Sequence, residues 1–171
     1  MQVIRNRKID SNASRQPPDS VAHAGGDAVP ADDPAVVPLT RLLEEPETFL
    51  GREGPFGALV APSDDVRKLE PFLSRLASVS IQFPVFNDGR GYSQARLLRG
   101  QLGFRGELRA VGDIGRDHLA FLERCGFDVF VLRAGESPRA ALAAFSEISL
   151  RFQTAGDAAD TVASLRRRRA G

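Results

Sequence analysis

The stretch Ser78–Gly100, SVSIQFPVFNDGRGYSQARLLRG, decides how the chain is read. Its first nine residues, with Val79, Ile81, Phe83 and Val85 at alternate positions, are patterned in the manner of a strand. Asp88-Gly89-Arg90-Gly91 then sets two glycines beside two opposite charges. From Tyr92 to Leu102 apolar residues return three and four apart, at Ala95, Leu98 and Leu102, which predicts a helix with Gly103 as its stop signal. A strand, a bare charged loop and a helix make one step of a parallel winding, because parallel strands are joined by crossovers that are usually helical.

The same rhythm extends on both sides. GALVA, from Gly57, reads as a strand, and Pro62-Ser63-Asp64-Asp65 opens a helix with Val66, Leu69, Phe72, Leu73 and Leu76 on its apolar side. Pro71 interrupts that helix. ELRAV is a strand, Asp113 to Arg124 a helical region closed by Gly126, and DVFVL a strand. Ser137 caps a last helix with Pro138 at its first position, running through Ala141, Leu142 and Phe145. Ile148 to Phe152 is expected to finish the fold. Four strands alternating with helices predict an α/β fold: a small parallel sheet of about four strands with right-handed crossovers. An open sandwich is the favoured arrangement, and half of a (β/α) barrel is the alternative.

The flanks read differently. Residues 1–10 suggest an edge strand between Gln2 and Ile9. Residues 11–38, rich in Ala, Asp, Pro and Ser, read as a flexible linker that buries too little surface to offset its ordering entropy. Leu39 to Leu50 carries a short helix signal with Thr40 as N-cap. All the aromatic residues lie between Phe49 and Phe152, so one α/β domain is expected over 39–153, with a flexible tail over 154–171. A net charge of +1 predicts no general attraction to nucleic acid or membrane, and Arg166–Arg169 reads as a solvated basic end. The one cysteine, Cys125, excludes an intramolecular disulfide and a four-thiolate zinc or iron–sulfur site built from this chain alone. Its place at a helix C-terminus disfavours a thiolate and predicts a buried structural thiol. The charged start MQVIRNRKID lacks an apolar signal region, and no apolar run is long enough to span a membrane. A soluble cytoplasmic protein is expected.

The loops that follow parallel strands leave from one edge of the sheet, where ligands usually bind. They bring Asp88, Arg90, Asp113, Arg116, Asp117, His118 and Arg133 to one rim. The candidate ligand-binding residues are Asp88, Gly89, Arg90, Gly91, Tyr92, Ser93, Asp113 and Arg116. Two glycines, an arginine and a helix start suit an oxyanion such as phosphate, sulfate, sulfite or a carboxylate. The structural alternative is a loop whose Asp88 caps the helix and pairs with Arg90. Tyr92 suits stacking on a ligand or stapling the helix start. Asp117 and His118 are candidate acid and base groups; against that, Asp113 is expected to cap a helix and Asp117 to favour its first turn. Gly89-x-Gly91 followed by Asp113 is a degenerate dinucleotide fingerprint without the full motif, so no nicotinamide or flavin cofactor is predicted. No metal motif is present.

DGRGYSQARLLR and FRGELRAVGDIGRDHLAFLERCGFDVF, with the opening MQVIRNRKI and the closing FSEISLRFQ, resemble the bacterial domain-of-unknown-function family 934. Its members are often labelled oxidoreductases of sulfite reduction and are typically encoded beside sulfite reductase. The resemblance implies an accessory role in assimilatory sulfite reduction, with sulfite reductase or its electron donor as partner. It carries over no catalytic residues. A small oxidoreductase, or an anion- or nucleotide-binding enzyme using the same rim, is the alternative. The long Ala/Pro/Asp linker and the arginine-rich tail depart from the family pattern.

Overall fold

The computed structural model describes residues 2–10, 36–85 and 87–146. One sheet organises them. Its strands are β1 (Gln2–Arg5), β2 (Lys8–Asp10), β3 (Val36–Pro38), β4 (Phe56–Val60), β5 (Leu76–Phe83), β6 (Glu107–Gly112) and β7 (Val129–Leu132), in the order β2-β1-β7-β6-β5-β4-β3. Between and after them lie α1 (Leu39–Glu44), α2 (Pro46–Leu50), a 3-10 segment (Val66–Phe72), α3 (Arg90–Arg96), α4 (Leu119–Arg124) and α5 (Pro138–Ala143). The helix of α3 continues as a wider π turn over Leu97–Gln101, and a 3-10 turn over Arg116–His118 leads into α4.

The α/β class is as expected, but the sheet has seven strands rather than about four. Two additions account for the difference. Gln2–Asp10 forms a hairpin instead of a single edge strand: Asn6 and Arg7 both take positive φ, 47° and 60°, the twist that two-residue hairpin turns require. β1 therefore lies inside the sheet, antiparallel to β7, and β2 forms the edge. At the other edge Val36–Pro38, the last residues of the expected linker, pair with β4, so the sheet draws on residues before 39. The rest of that linker, the strand expected at Ile148–Phe152 and the 154–171 tail lie outside the described residues.

From β3 to β7 the strands are parallel and follow one another in space as they do in sequence. The order never reverses, which is the order of a barrel segment; β2 and β3 leave the sheet open. Right-handed crossovers that all advance in one direction place their helices on one face. Ile4, Phe130, Ala110, Ile81 and Val60 form a row across that face. They share one buried cluster with Leu42, Leu69, Ala95, Leu98, Leu119 and Ala141 from the helical layer. The opposite face holds Val3, Val129 and Leu59, buried but outside that cluster, together with a charged lattice in which Arg5 pairs with Glu107 and Asp10, and Arg109 with Glu107.

Several helix starts differ in detail. α1 begins at Leu39 after Pro38, so Thr40 lies within it rather than capping it. The segment after β4 is a 3-10 helix capped by Asp65, whose carboxylate accepts the Arg67 N–H. α3 starts at Arg90, two residues before the expected Tyr92. Ser137 caps α5 with Pro138 behind it, as its sequence predicts. No described helix is long and apolar enough to cross a membrane.

Candidate functional site

The loops after β5, β6 and β7 meet along the edge where these strands end. The loop after β5 is organised by Asp88. Its carboxylate accepts the Arg90 backbone N–H at 3.2 Å and is clasped by the Arg90 guanidinium, Nε to Oδ1 at 2.9 Å and Nη2 to Oδ2 at 2.7 Å. That hydrogen bonding holds the Asp88 carboxyl below its usual pKa and raises that of Arg90. The pair is local, two residues apart, and most of the Arg90 side chain is in water.

The two glycines of this loop do different work. Gly91 is buried against Phe83, and a Cβ there would stand 2.5 Å from the ring's Cζ, so this glycine lets α3 approach β5. Gly89 has φ −80° and ψ −5°, a conformation open to any residue, and only Tyr92 Cδ2, at 4.0 Å, comes near its missing side chain. The fold needs Gly91. It places no such demand on Gly89.

The loop after β6 turns at Gly112, whose φ of +110° and contact with the Phe83 carbonyl both exclude a side chain. Asp113, expected as a helix cap, instead receives Arg133 from the loop after β7, Nη1 to Oδ1 at 3.1 Å. Arg133 also holds Glu136 through Nε at 3.0 Å and Nη2 at 2.8 Å. These partners raise the Arg133 pKa. Gly115 lies beneath this group: a Cβ there would meet Asp117 Oδ1 at 2.9 Å, Arg133 Nη2 at 3.0 Å and Glu136 Oε1 at 3.1 Å. Asp113, Asp117, Arg133 and Glu136 therefore form one cluster. Glu136 is absent from the candidates read in the sequence; its position three residues after Arg133, across an Ala-Gly turn, is the signal for it.

His118 is buried; its side-chain Nδ1 accepts the Gly115 backbone N–H at 3.1 Å, and its backbone N–H donates to the Gly115 carbonyl at 3.1 Å. Its visible role is to close the turn that starts the 3-10 segment, with Asp117 Oδ1 4.0 Å away. Asp117, Arg116 and Ser93 are exposed.

Tyr92 connects the two loops. Its half-buried ring packs edge-on against Phe83 at 5.3 Å and Phe121 at 4.9 Å. Burial first, then the nearby Cys125 and Asp117, push its hydroxyl above the usual tyrosine pKa. Among the described residues no hydrogen bond or ion pair joins Asp88–Arg90 to the Asp113–Arg133 cluster; aromatic contact does so instead. One helical turn below Arg90, buried Gln94 donates to the carbonyls of Ala61 and Asp64, both at 2.9 Å, and so pins the loop after β4 to α3. Cys125 is buried at the end of α4, as expected. Among the described residues, no three His, Cys, Asp or Glu side chains are arranged to hold a metal ion.

Fold and rim together define a small α/β protein with a singly wound parallel core, its loop edge lined by arginine–carboxylate pairs. The chain belongs to the family described as a bacterial protein of unknown function (DUF934), whose profile matches residues 57–163 of the 171. No curated protein matches the chain.

Proposed function

We propose that this is a cytoplasmic accessory protein of assimilatory sulfite reduction that partners sulfite reductase or its electron donor and carries an anion-binding rim at Asp88–Ser93. The sulfite association comes from the family resemblance of the DGRGYS and ELRAVGD segments. The observation that carries the anion site is the pairing of an unencumbered Gly89 with an exposed Arg90. An oxyanion takes the place of the Asp88 carboxylate on Arg90 Nε and Nη2, where two parallel N–H groups suit a planar or tetrahedral oxyanion. Opening an exposed ion pair costs little, so the exchange is feasible in water.

The reading is tested in two steps. Calorimetric titration into sulfite reductase from the same organism reports the partnership; saturable heat supports it, and no heat with no co-elution removes it. Sulfite, sulfate and phosphate are then screened for a rise in melting temperature. Arg90→Ala should abolish that rise, and Asp88→Asn, which removes the internal competitor, should enlarge it. An unchanged melting curve with all three anions discards the anion site.

A further inference from the structure

The outer surface of α3 and α4 carries an aromatic side chain that the fold leaves in water. Phe121 is 43% exposed, with the Tyr92 ring edge-on at 4.9 Å and the Arg96 guanidinium 6.0 Å from its ring centre. Arg96 is itself exposed, and no carboxylate pairs with it among the described residues. Its surroundings in the chain share that sign. Between Asp88 and Glu107 stand Arg90, Arg96, Arg99 and Arg105, with no acid among them. Asp88 takes Arg90 and Asp128 takes Arg99. Arg96 and Arg105 have no ion pair among the described residues. The exposed Glu44, Glu47 and Glu53, also without an ion pair among the described residues, belong to α1, α2 and the approach to β4, toward the β3 end of the sheet, whereas α3 and α4 flank its central strand β6. Among the described residues, the α3 side of the sheet thus presents arginines without an ion pair next to an exposed ring.

We propose that the α3–α4 surface, centred on Phe121 and Arg96, is where an acidic protein partner docks. The inference rests on the accessory-protein reading above and names the face that reading requires. Arginine and aromatic residues are the side chains most enriched at the centres of protein interfaces, where a ring fills a pocket and a guanidinium meets carboxylates. The stacked Arg96 is held over Phe121 before any partner arrives, which lowers the ordering cost of binding. Single-stranded nucleic acid also uses arginine and aromatic pairs. Here, however, Phe121 is the one exposed aromatic among the described residues and the net charge is +1, short of the series of rings along a basic groove that a strand follows.

The test is titration of the full chain into sulfite reductase from the same organism at low and at moderate salt. Phe121→Ser and Arg96→Glu should each weaken binding by roughly ten-fold or more, and added salt should weaken wild-type binding while narrowing the gap between wild type and Arg96→Glu. Leu43→Ser, at an exposed leucine of α1, should bind as wild type. Wild-type binding that both α3–α4 variants retain overturns this inference and leaves the accessory role intact. A wild type that does not bind overturns both. An oligothymidine that binds wild type, but not Phe121→Ser, would reassign the surface to nucleic acid and overturn the acidic protein partner.

Discussion

Arg90 and Arg99 lie on one continuous helical stretch and are spent in opposite ways. Arg99 faces the edge where β6 and β7 begin. It donates to the carbonyls of Gly126 at 2.9 Å, Phe104 at 2.8 Å and Gly106 at 2.8 Å, pairs with Asp128, and lies over the Phe104 ring. Asp128 in turn accepts the Leu108 N–H at 2.9 Å. One guanidinium thus ties together two loops and the starts of two strands. Arg90, at the edge where β5 ends, meets one carboxylate from its own loop. The loop edge has long-range ties of its own, Arg133 to Asp113 and Gln94 to Ala61 and Asp64, but Arg90 takes no part in them. Of the two arginines, only Arg90 is held by a single local pair that a ligand could replace.

The largest test of that contrast is Arg99→Ala. Removing it takes a donor from three carbonyls and leaves the Asp128 carboxylate with only the Leu108 N–H, and we expect a loss of about 3 kcal/mol in urea unfolding. Arg90→Ala should leave the unfolding midpoint within the scatter of ordinary surface substitutions. Equal losses from the two would mean that the loop edge is as structural as the opposite one.

The two glycines sharpen the same contrast within four residues. Gly91→Ala pushes a methyl group into Phe83, and overpacking of this kind costs about 1–3 kcal/mol. Gly89→Ala meets no obstacle and its φ suits alanine, so it should hold or raise stability, by about 0.4–1 kcal/mol at most. A destabilised Gly89→Ala protein would give Gly89 a structural role and remove the main support for an anion there. If Gly89→Ala is stable yet no longer shifts with anion, that support is strengthened.

These distinctions show where sequence reading succeeds. The parallel strands and their alternation with helices are legible because buried strands and helix stripes have different apolar periods, and β4 to β7 follow them closely. β1 and β2 are harder to see: the Asn6-Arg7 turn takes positive φ without a glycine. β3 has only three residues and is held by its neighbour β4 rather than by its own pattern. At the rim, topology foretells that Asp88, Arg90, Asp113 and Arg133 share an edge. It does not foretell which charges neutralise each other. That Asp113 goes to Arg133 instead of a helix start depends on how β6 and β7 bring their loops together. Gly89 and Gly91 look alike in sequence, and only the approach of Phe83 separates them.

The smallest effect concerns Tyr92, which stands between the Asp88 loop and the Asp117 turn. It is the only tyrosine of a chain without tryptophan, so tyrosinate absorbance reports it alone. Burial raises its pKa above the ordinary 10.0, and the negative charges at Asp117 and, at high pH, Cys125 add to that. The unfolded chain then loses this proton before the folded one does. The contribution of Tyr92 to stability is therefore intact below the ordinary value and declines as pH rises from there toward the folded pKa. Spectrophotometric titration of the folded protein should give a midpoint above 10.0. Phe121→Ala, which uncovers one side of the ring, should bring that midpoint down, and Asp117→Asn should lower it less, because burial is the larger cause. A wild-type midpoint at the ordinary value would put the hydroxyl in open water and break the aromatic link between the two loops. A larger response to Asp117→Asn than to Phe121→Ala would reverse the order of causes and place charge, rather than packing, at the junction of the rim.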